Sequence, residues 1–403
     1  MSVLKGKNVL LGISGGIAAY KTASLVRLLI KAGAHVQVVM TPASVDFVTP
    51  LTLSTLSKNP VFSTFYNKED ENATWNNHVE LALWADFVLI APATANTLSK
   101  MASGTCDNLL LATYLSAKCP VYFAPAMDLD MYIHPTTKMN FETLKSFGNT
   151  IIPAESGELA SGLSGEGRMA EPENILQFIE KDIESKLPLK GKKILVTAGP
   201  TYEAIDPVRF IGNHSTGKMG YEIAQVAANL GAEVILVSGP THLLLQHSLV
   251  TIIRVTTADD MFATCHHYFE NTDVFIAAAA VADYKPKNVA QQKIKKEETK
   301  LTIELEKNQD ILLSLSQIKK NQFLIGFALE TENEIENAKS KIKKKNLDVI
   351  VLNSLNDEGA GFGKPTNKVT FIDKEFNIFD IPLKSKELVA EDIVNLIVKK
   401  YAN

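Results

Sequence analysis

The same opening occurs twice in this chain, and it limits the fold more than any other feature. Gly6-Lys-Asn-Val-Leu-Leu-Gly12 is echoed by Gly191-Lys-Lys-Ile-Leu-Val-Thr197. Each run leads into a glycine-containing turn, a helix-like segment and a second apolar run. The second runs are Ala32-Gly-Ala-His-Val-Gln-Val-Val-Met40 and Leu230-Gly-Ala-Glu-Val-Ile-Leu-Val-Ser238. Strand, turn, helix and strand make a βαβ unit, whose crossover makes its two strands parallel. Further apolar runs at Phe87 to Ala91, Val121 to Ala124, Val274 to Ala278, Phe323 to Phe327 and Val349 to Leu352 extend the pattern. The expected fold is α/β, with two doubly wound Rossmann-like domains and mainly parallel sheets. A length of 403 residues fits two such domains. The charged stretch Glu180 to Lys190, with Pro188, reads as the linker between domains at 1–186 and 190–403.

Composition excludes several classes. Hydrophobic content of 46% and charged content of 21% describe an ordinary globular chain. A formal net charge of −4 supplies no global field for nucleic acid, and the basic runs Lys293 to Lys296 and Lys339 to Lys345 are local. Cys106, Cys119 and Cys265 show neither metal-ligand spacing nor a disulfide pattern, which fits a reducing cytoplasm. Lys5 and Lys7 before the apolar run from Val9 to Tyr20 imitate a signal peptide, but Gly15-Gly16 argues for strand, turn and helix. No apolar stretch is long enough to span a membrane.

Ligands of doubly wound sheets sit beyond the carboxyl ends of the strands, at the switch point. In the first half those ends carry Ser14-Gly15-Gly16, Thr41-Pro42 and Ala91-Pro-Ala-Thr94-Ala-Asn96. Hydroxyls and glycines there suit a phosphate and a flat heterocycle, although each residue taken singly reads equally well as a turn or cap. No Gly-x-Gly-x-x-Gly with a following acid is present, so a mononucleotide such as FMN fits better than NAD.

The second half offers Thr197-Ala-Gly-Pro-Thr201 and then Asp206-Pro-Val-Arg-Phe-Ile-Gly-Asn-His-Ser-Thr-Gly-Lys-Met-Gly220. Glycines let backbone N–H groups approach an anion, and Arg209 and Lys218 can neutralise it. Gly212 to Lys218 also fits part of a P-loop, but Met219 has no hydroxyl for Mg²⁺. A glycine-rich turn without a ligand is the other reading at this point.

With these motifs in this order, the chain resembles the bifunctional phosphopantothenoylcysteine decarboxylase/phosphopantothenate–cysteine ligase family of coenzyme A biosynthesis, over nearly its whole length. For the first domain the resemblance implies an FMN flavoprotein, with Ser14, Gly15, Gly16, Thr41, Thr94 and Asn96 holding the cofactor. Thiol oxidation would give a thioaldehyde that eases loss of the carboxylate, and reduction would follow. His78, in Asn77-His-Val-Glu-Leu81, matches the family's active-site base. Met131 and Arg168 are implied substrate contacts. Two positions depart from the family. Pro125-Ala-Met-Asp128 carries Asp128 in place of an asparagine that holds the substrate carboxylate. Ala160-Ser-Gly-Leu-Ser-Gly-Glu-Gly-Arg-Met169 carries Ser161 in place of a cysteine expected to protonate the enethiol. The departures can compensate. Like charges disfavour double ionisation, so Asp128 facing the substrate carboxylate would hold a proton and could later supply it.

For the second domain the resemblance implies CTP-dependent activation of 4′-phosphopantothenate to an acyl-cytidylate, followed by attack of cysteine. Asn213 and Arg209 are the implied catalytic residues, and Lys293 neutralises phosphate. The implied nucleotide site comprises Ala277, Ala278, Ala279, Asp283, Gln309, Asp310, Ile311, Leu312, Phe327, Lys341 and Lys345, with Gln309 replacing a usual proline. Read without the family, Lys341 and Lys345 are four apart and share one helix face, and Phe327 and the alanine run read as core. Mg²⁺ is expected from triphosphate chemistry, with no ligands assignable. By resemblance an oligomer is expected, its decarboxylase sites at subunit interfaces. The alternatives are an active ligase fused to an altered flavin domain that releases the enethiol, and a flavin-binding module without chemistry in the first half.

Overall fold

The computed structural model describes residues 2–66, 75–159, 161–295, 301–330, 332–354 and 364–401. Ala160 and Lys296 lie outside the described residues. The chain divides into two compact units, one ending at Ser185 and one beginning at Lys186.

The sheet of the first unit consists of β1 (Asn8–Ile13), β2 (His35–Met40), β3 (Val61–Phe62), β4 (Phe87–Ala93), β5 (Val121–Pro125) and β6 (Thr150–Ile151). Their order is β3-β2-β1-β4-β5-β6 and every pairing is parallel. The helices are α1 (Thr22–Lys31), α2 (Pro50–Ser57), α3 (His78–Trp84), α4 (Ala95–Ser103), α5 (Leu109–Ser116), α6 (Leu129–Ile133), α7 (Pro135–Ser146) and α8 (Pro172–Ser185). An antiparallel hairpin, β7 (Glu155–Glu158) with β8 (Ser164–Arg168), follows the last strand.

Strand alternation assigns the two faces of this sheet. Val9, Leu11 and Ile13 of β1 join Leu25, Val26 and Leu29 of α1 and Ile175 and Ile179 of α8 in one core layer. Leu10 points the other way, into a layer with Leu98, Met101, Leu110 and Phe141. Helices therefore cover both faces, as a parallel sheet requires, and all seven residues of β4 are buried.

The second unit has an eight-stranded sheet in the order β13-β12-β9-β14-β17-β18-β19-β20. Its central strands are β9 (Lys193–Ala198), β12 (Glu233–Ser238), β13 (Val250–Arg254), β14 (Val274–Ala277), β17 (Phe323–Glu330) and β18 (Val349–Ser354), all parallel. β19 (Thr366–Asp373) and β20 (Ile378–Ser385) add an antiparallel edge. Two small antiparallel hairpins stand outside the sheet: β10 (Tyr202–Ala204) with β11 (Phe210–Gly212), and β15 (Tyr284–Pro286) with β16 (Leu305–Lys307). α9 (Lys218–Asn229) and α13 (Lys386–Tyr401) share one core layer through Ala224, Ala227, Val389, Ile393 and Ile397. α10 (Ala258–Phe269), α11 (Ile311–Gln317) and α12 (Glu334–Lys344) cover the other face. A capping box starts α10: Asp260 N–H donates to Thr257 Oγ1, and Thr257 N–H to Asp260 Oδ2, each at 3.1 Å.

The two parallel sheets are those expected from the repeated opening. The linker reading needs correction, because Glu180 to Ser185 are the last turns of α8. Ile175 and Ile179 face the core, and Asp182 in the last turns accepts from the hydroxyl of buried Tyr122 at 2.6 Å, so the helix runs on through this stretch. The β19–β20 edge and the β7–β8 hairpin were not anticipated.

Candidate functional site

In the first unit the chain runs from β1 to β2 on one side and later to β4 on the other, which puts the switch point between β1 and β4. A cavity of about 520 Å³ opens there, lined by Gly15, Thr41, Thr94, Asn96, Lys100, Asp107, Asn108 and Met131, among others. Ser14 is buried and lines neither this cavity nor its neighbour; it builds the wall from behind. Its hydroxyl donates to Pro92 O at 2.7 Å and accepts from Thr94 N–H at 3.0 Å, tying the end of β1 to the start of α4. Glycine is required at position 15, since a Cβ there would lie 2.9 Å from Ala43 backbone atoms. Thr41 Oγ1 is buried with no hydrogen-bond partner. A buried hydroxyl without a partner beside a cavity marks a place where a bound polar group completes the bonding. Small residues, this hydroxyl and the backbone at the start of α4 fit a phosphorylated flavin mononucleotide.

A second cavity, about 510 Å³, shares Ala126 and Met127 with the first. It is lined by Gly16, Tyr20, Lys21, Asp128, Glu158, Ser161, Arg168 and Met169, among others. Asp128 caps α6, its Oδ1 accepting from Leu129 N–H at 2.7 Å. Lys21, 6% exposed, donates to Met169 O at 2.9 Å and to Glu171 Oε1 at 3.0 Å. Arg168 donates to the same carboxylate oxygen at 2.6 Å. The Lys21 hydrogen bond, against burial and helped by Arg168, holds the Glu171 carboxyl below its usual range. Glu171 N–H in turn donates to Glu155 Oε1 at 3.1 Å, so both stems of the hairpin are fastened at one point. His78 lines neither cavity. It stands at the start of α3 behind the Asn77 cap, with Nδ1 buried and unpartnered. Trp75, Val79, Leu83 and Trp84, around it in sequence, are exposed apolar side chains.

In the second unit the switch point falls between β9 and β14, and two cavities flank the end of β14 with Ala279 and Phe327 in both walls. The larger, about 300 Å³, is lined by Ala277, Ala279, Asp283, Asn308, Gln309, Asp310, Ile311, Leu312, Phe327 and Lys345, among others. Hydroxyls of β9 and its loop fix the alanine run: Thr197 Oγ1 accepts from Ala279 N–H at 3.2 Å, and Thr201 Oγ1 from Ala282 N–H at 3.0 Å. Asp310 caps α11 through Leu313 N–H at 3.0 Å and accepts from Lys345 at 3.1 Å. Burial pushes the Asp310 carboxyl up, but Lys345 and the Leu313 N–H outweigh it and bring it below its usual range. Asn308 Oδ1 is buried and unpartnered in this wall.

The smaller cavity, about 190 Å³, is lined by Ser215, Thr216, Gly217 and Lys218 at the start of α9, by Ala278 and Phe327, and by Asn353, Asn367 and Lys386. Arg209, Asn213, Lys293 and Lys341 line neither cavity. Arg209 forms a two-point ion pair with the buried Asp206 and also donates to Ile294 O at 3.2 Å, which fastens the Lys293 segment. Asn213 reaches the end of β14, donating to Ala280 O at 3.0 Å. Lys341 pairs with Glu330 instead.

Sequence reading passed over Lys21, Lys100, Asn308, Asn353, Asn367 and Lys386. Asn308 had a signal, as the neighbour of Gln309-Asp310. Lys21 and Lys100 lie close in sequence to Gly16 and Asn96, whereas Asn353, Asn367 and Lys386 come from elements remote in sequence, which only the fold brings together. Among the described residues no group of three His, Cys, Asp or Glu could hold a metal ion, and no helix is long and apolar enough to cross a membrane.

Two parallel α/β units, each with paired cavities at its switch point, define a two-unit protein that binds nucleotide-like ligands. Comparison with known proteins carries this further. A family model described as Flavoprotein matches residues 2–184, and one described as DNA/pantothenate metabolism flavoprotein C-terminal domain matches 189–401. A coenzyme A biosynthesis bifunctional protein CoaBC of Bacillus subtilis (strain 168) is 44% identical over 397 residues, 98% of this chain and 97% of that protein. One from Vibrio cholerae serotype O1 is 45% identical over 400 residues, covering 98% and 99%. A cysteine/cysteine sulfinic acid decarboxylase from an unknown prokaryotic organism is 53% identical over 357 residues, 87% of this chain and 99% of that protein. The chain belongs to the CoaBC family of bifunctional flavoproteins.

Proposed function

We propose that the chain makes 4′-phosphopantetheine in two steps. The second unit joins 4′-phosphopantothenate to cysteine with CTP and Mg²⁺, and the first unit decarboxylates the product. Likeness to CoaBC relatives over nearly the full length carries this reading, and the paired cavities in each unit support it. In the first unit Gly15, Gly16, Thr41, Thr94 and Asn96 hold FMN, with Ser14 bracing the loop. Bound FMN supplies reversible hydride chemistry at the substrate's β-carbon and sulfur. Asp128 and Ser161 meet the reacting cysteine in the adjoining cavity, with Met131 and Arg168 as further contacts. Oδ1 of Asp128 is occupied by Leu129 N–H, so Oδ2 is the oxygen that shares a proton with the substrate carboxylate and later gives it up. His78 acts as a base from a neighbouring copy in an oligomer, which the exposed Val79, Leu83 and Trp84 favour.

In the second unit the cavity beside α11 takes the nucleoside, and the one beside α9 takes its phosphates. Asn213 and Arg209, with Lys293 and Lys341, approach from the segments around the cavities. The test is nucleotide choice. Full-length protein given phosphopantothenate, cysteine and Mg²⁺ should release pyrophosphate with CTP at least ten-fold faster than with ATP. Equal or faster turnover of ATP would sink the assignment.

A second reading is favoured by the 53% identity to a cysteine/cysteine sulfinic acid decarboxylase: the first unit acts on free cysteine. A free α-ammonium group would pair with the Asp128 carboxylate, whereas the acylated nitrogen of phosphopantothenoylcysteine carries no charge. Lys21 and Arg168, in the same wall, would take the carboxylate. Competition between the two substrates decides, and Asp128→Asn separates them. The variant should lose turnover of free cysteine selectively under the second reading, and of phosphopantothenoylcysteine under the first.

A further inference from the structure

Lys386 is 6% exposed and is the first residue of a 16-residue helix, α13. A helix start carries roughly half a positive charge, so an ammonium group there is opposed by the helix dipole as well as by burial. Lys218 occupies the corresponding place on α9, a 12-residue helix packed against α13, and both lysines line the same cavity of about 190 Å³. Burial first, and the charge of Lys218 second, draw the Lys386 ammonium pKa down. Among the described residues, Glu222 and Glu387 are carboxylates nearby. Burial pushes Glu222 up, opposed by Lys218 and reinforced by Glu387. Two lysines and two helix starts converge on one small space, a concentration of positive charge that a polyanion complements. A further observation marks the space as a binding site. Asn367 is 3% exposed, and its Oδ1 is buried without a partner in the cavity wall. That oxygen can accept from water or meet the hydrated cation that accompanies a polyphosphate.

We propose that Lys386, with Lys218, holds the β- and γ-phosphates of the nucleotide and so receives the pyrophosphate that leaves. In the activation step a carboxylate oxygen of phosphopantothenate forms a bond to the α-phosphorus. The bond from that phosphorus to the oxygen bridging to the β-phosphorus breaks, and its electron pair stays on the departing pyrophosphate. Negative charge therefore grows where the two ammonium groups stand, which lowers the barrier as well as tightening binding. The inference rests on the reading that the second unit uses a nucleoside triphosphate.

The experiment uses full-length protein and titrates it calorimetrically with inorganic pyrophosphate in Mg²⁺ and, separately, with CMP. Lys386→Met should weaken pyrophosphate at least ten-fold and leave CMP within two-fold, while Lys386→Arg retains most pyrophosphate affinity. Lys218→Met, at a half-buried position, should show the same split and serves if Lys386→Met does not fold. Unchanged pyrophosphate affinity in both methionine variants, or equal losses of pyrophosphate and CMP, would overturn the proposal. Wild-type protein that binds pyrophosphate but no cytidine nucleotide would overturn the nucleotide reading and leave the lysine pair standing as an anion site.

Discussion

Gly220 sits in the first turn of α9, where a Cβ would come 2.6 Å from Ala198 Cβ and 2.9 Å from Thr197 O. Ordinary carbon contacts lie at about 3.5–4.0 Å, so Gly220→Ala must push the start of α9 off β9 by about 1 Å. The neighbours are backbone and Cβ of a buried central strand, which cannot turn aside. Overpacking of this kind costs about 1–3 kcal/mol, partly offset by the gain of about 1 kcal/mol when alanine replaces glycine in a helix. A net loss of about 1–2 kcal/mol corresponds to a fall of roughly 2–8 °C in melting temperature for a unit of this size. Ligation should suffer more than stability. The same turn carries Lys218, and a 1 Å misplacement can cost about a hundred-fold in rate. The assay is kcat/KM for CTP alongside thermal unfolding, with decarboxylation of phosphopantothenoylcysteine as the internal control in the other unit. Ligase activity within two-fold of wild type, together with an unchanged or raised melting temperature, would refute the argument that close helix–strand approach sets the site.

Two further perturbations test the charged anchors. Asp206 is buried, and Arg209 first, then the Val208, Ile294 and Arg209 N–H groups, hold its carboxyl far below the usual range despite burial. A lowered pKa means its stabilisation is complete above the unfolded value of about 4 and is lost as pH falls further. The melting-temperature gap between wild type and Asp206→Asn should therefore be constant above about pH 5 and narrow on acidification below about pH 4; a gap that widens in acid contradicts this. Lys21→Met removes the bonds to Met169 O and Glu171 and should cost about 1–3 kcal/mol. The visible consequence is faster proteolytic cleavage within the β7–β8 hairpin at unchanged ligase activity, and a cleavage rate equal to wild type would count against the anchoring role.

The sheets were legible because their signal is local. Val9, Leu11 and Ile13 alternate with residues of the opposite face, and Gly33 and Gly231 punctuate both crossovers before the second strand. The antiparallel edge was not, since Pro382 interrupts β20 and most of that strand is exposed, which leaves no apolar run to read. At the sites, residues adjoining strand ends could be named from position alone, such as Thr41, Thr94 and Asp283. Lys386 could not, because it reads as one more lysine opening an amphipathic helix. Only the packing of α13 on α9 brings it to Lys218, more than a hundred residues away. Lys21 was hidden for a similar reason: its partners follow a hairpin whose strands are polar and glycine-rich.

The central claim is that the first unit completes a decarboxylation with Asp128 and Ser161 at the positions where its resemblance implies other residues. Anaerobic incubation of purified protein with phosphopantothenoylcysteine, followed by the flavin spectrum and product mass, tests it directly. The account predicts a product that has lost CO₂ and kept both hydrogens, with the flavin oxidised again at the end. A product two hydrogens lighter, with the flavin left reduced, would contradict it and place the stop at the enethiol.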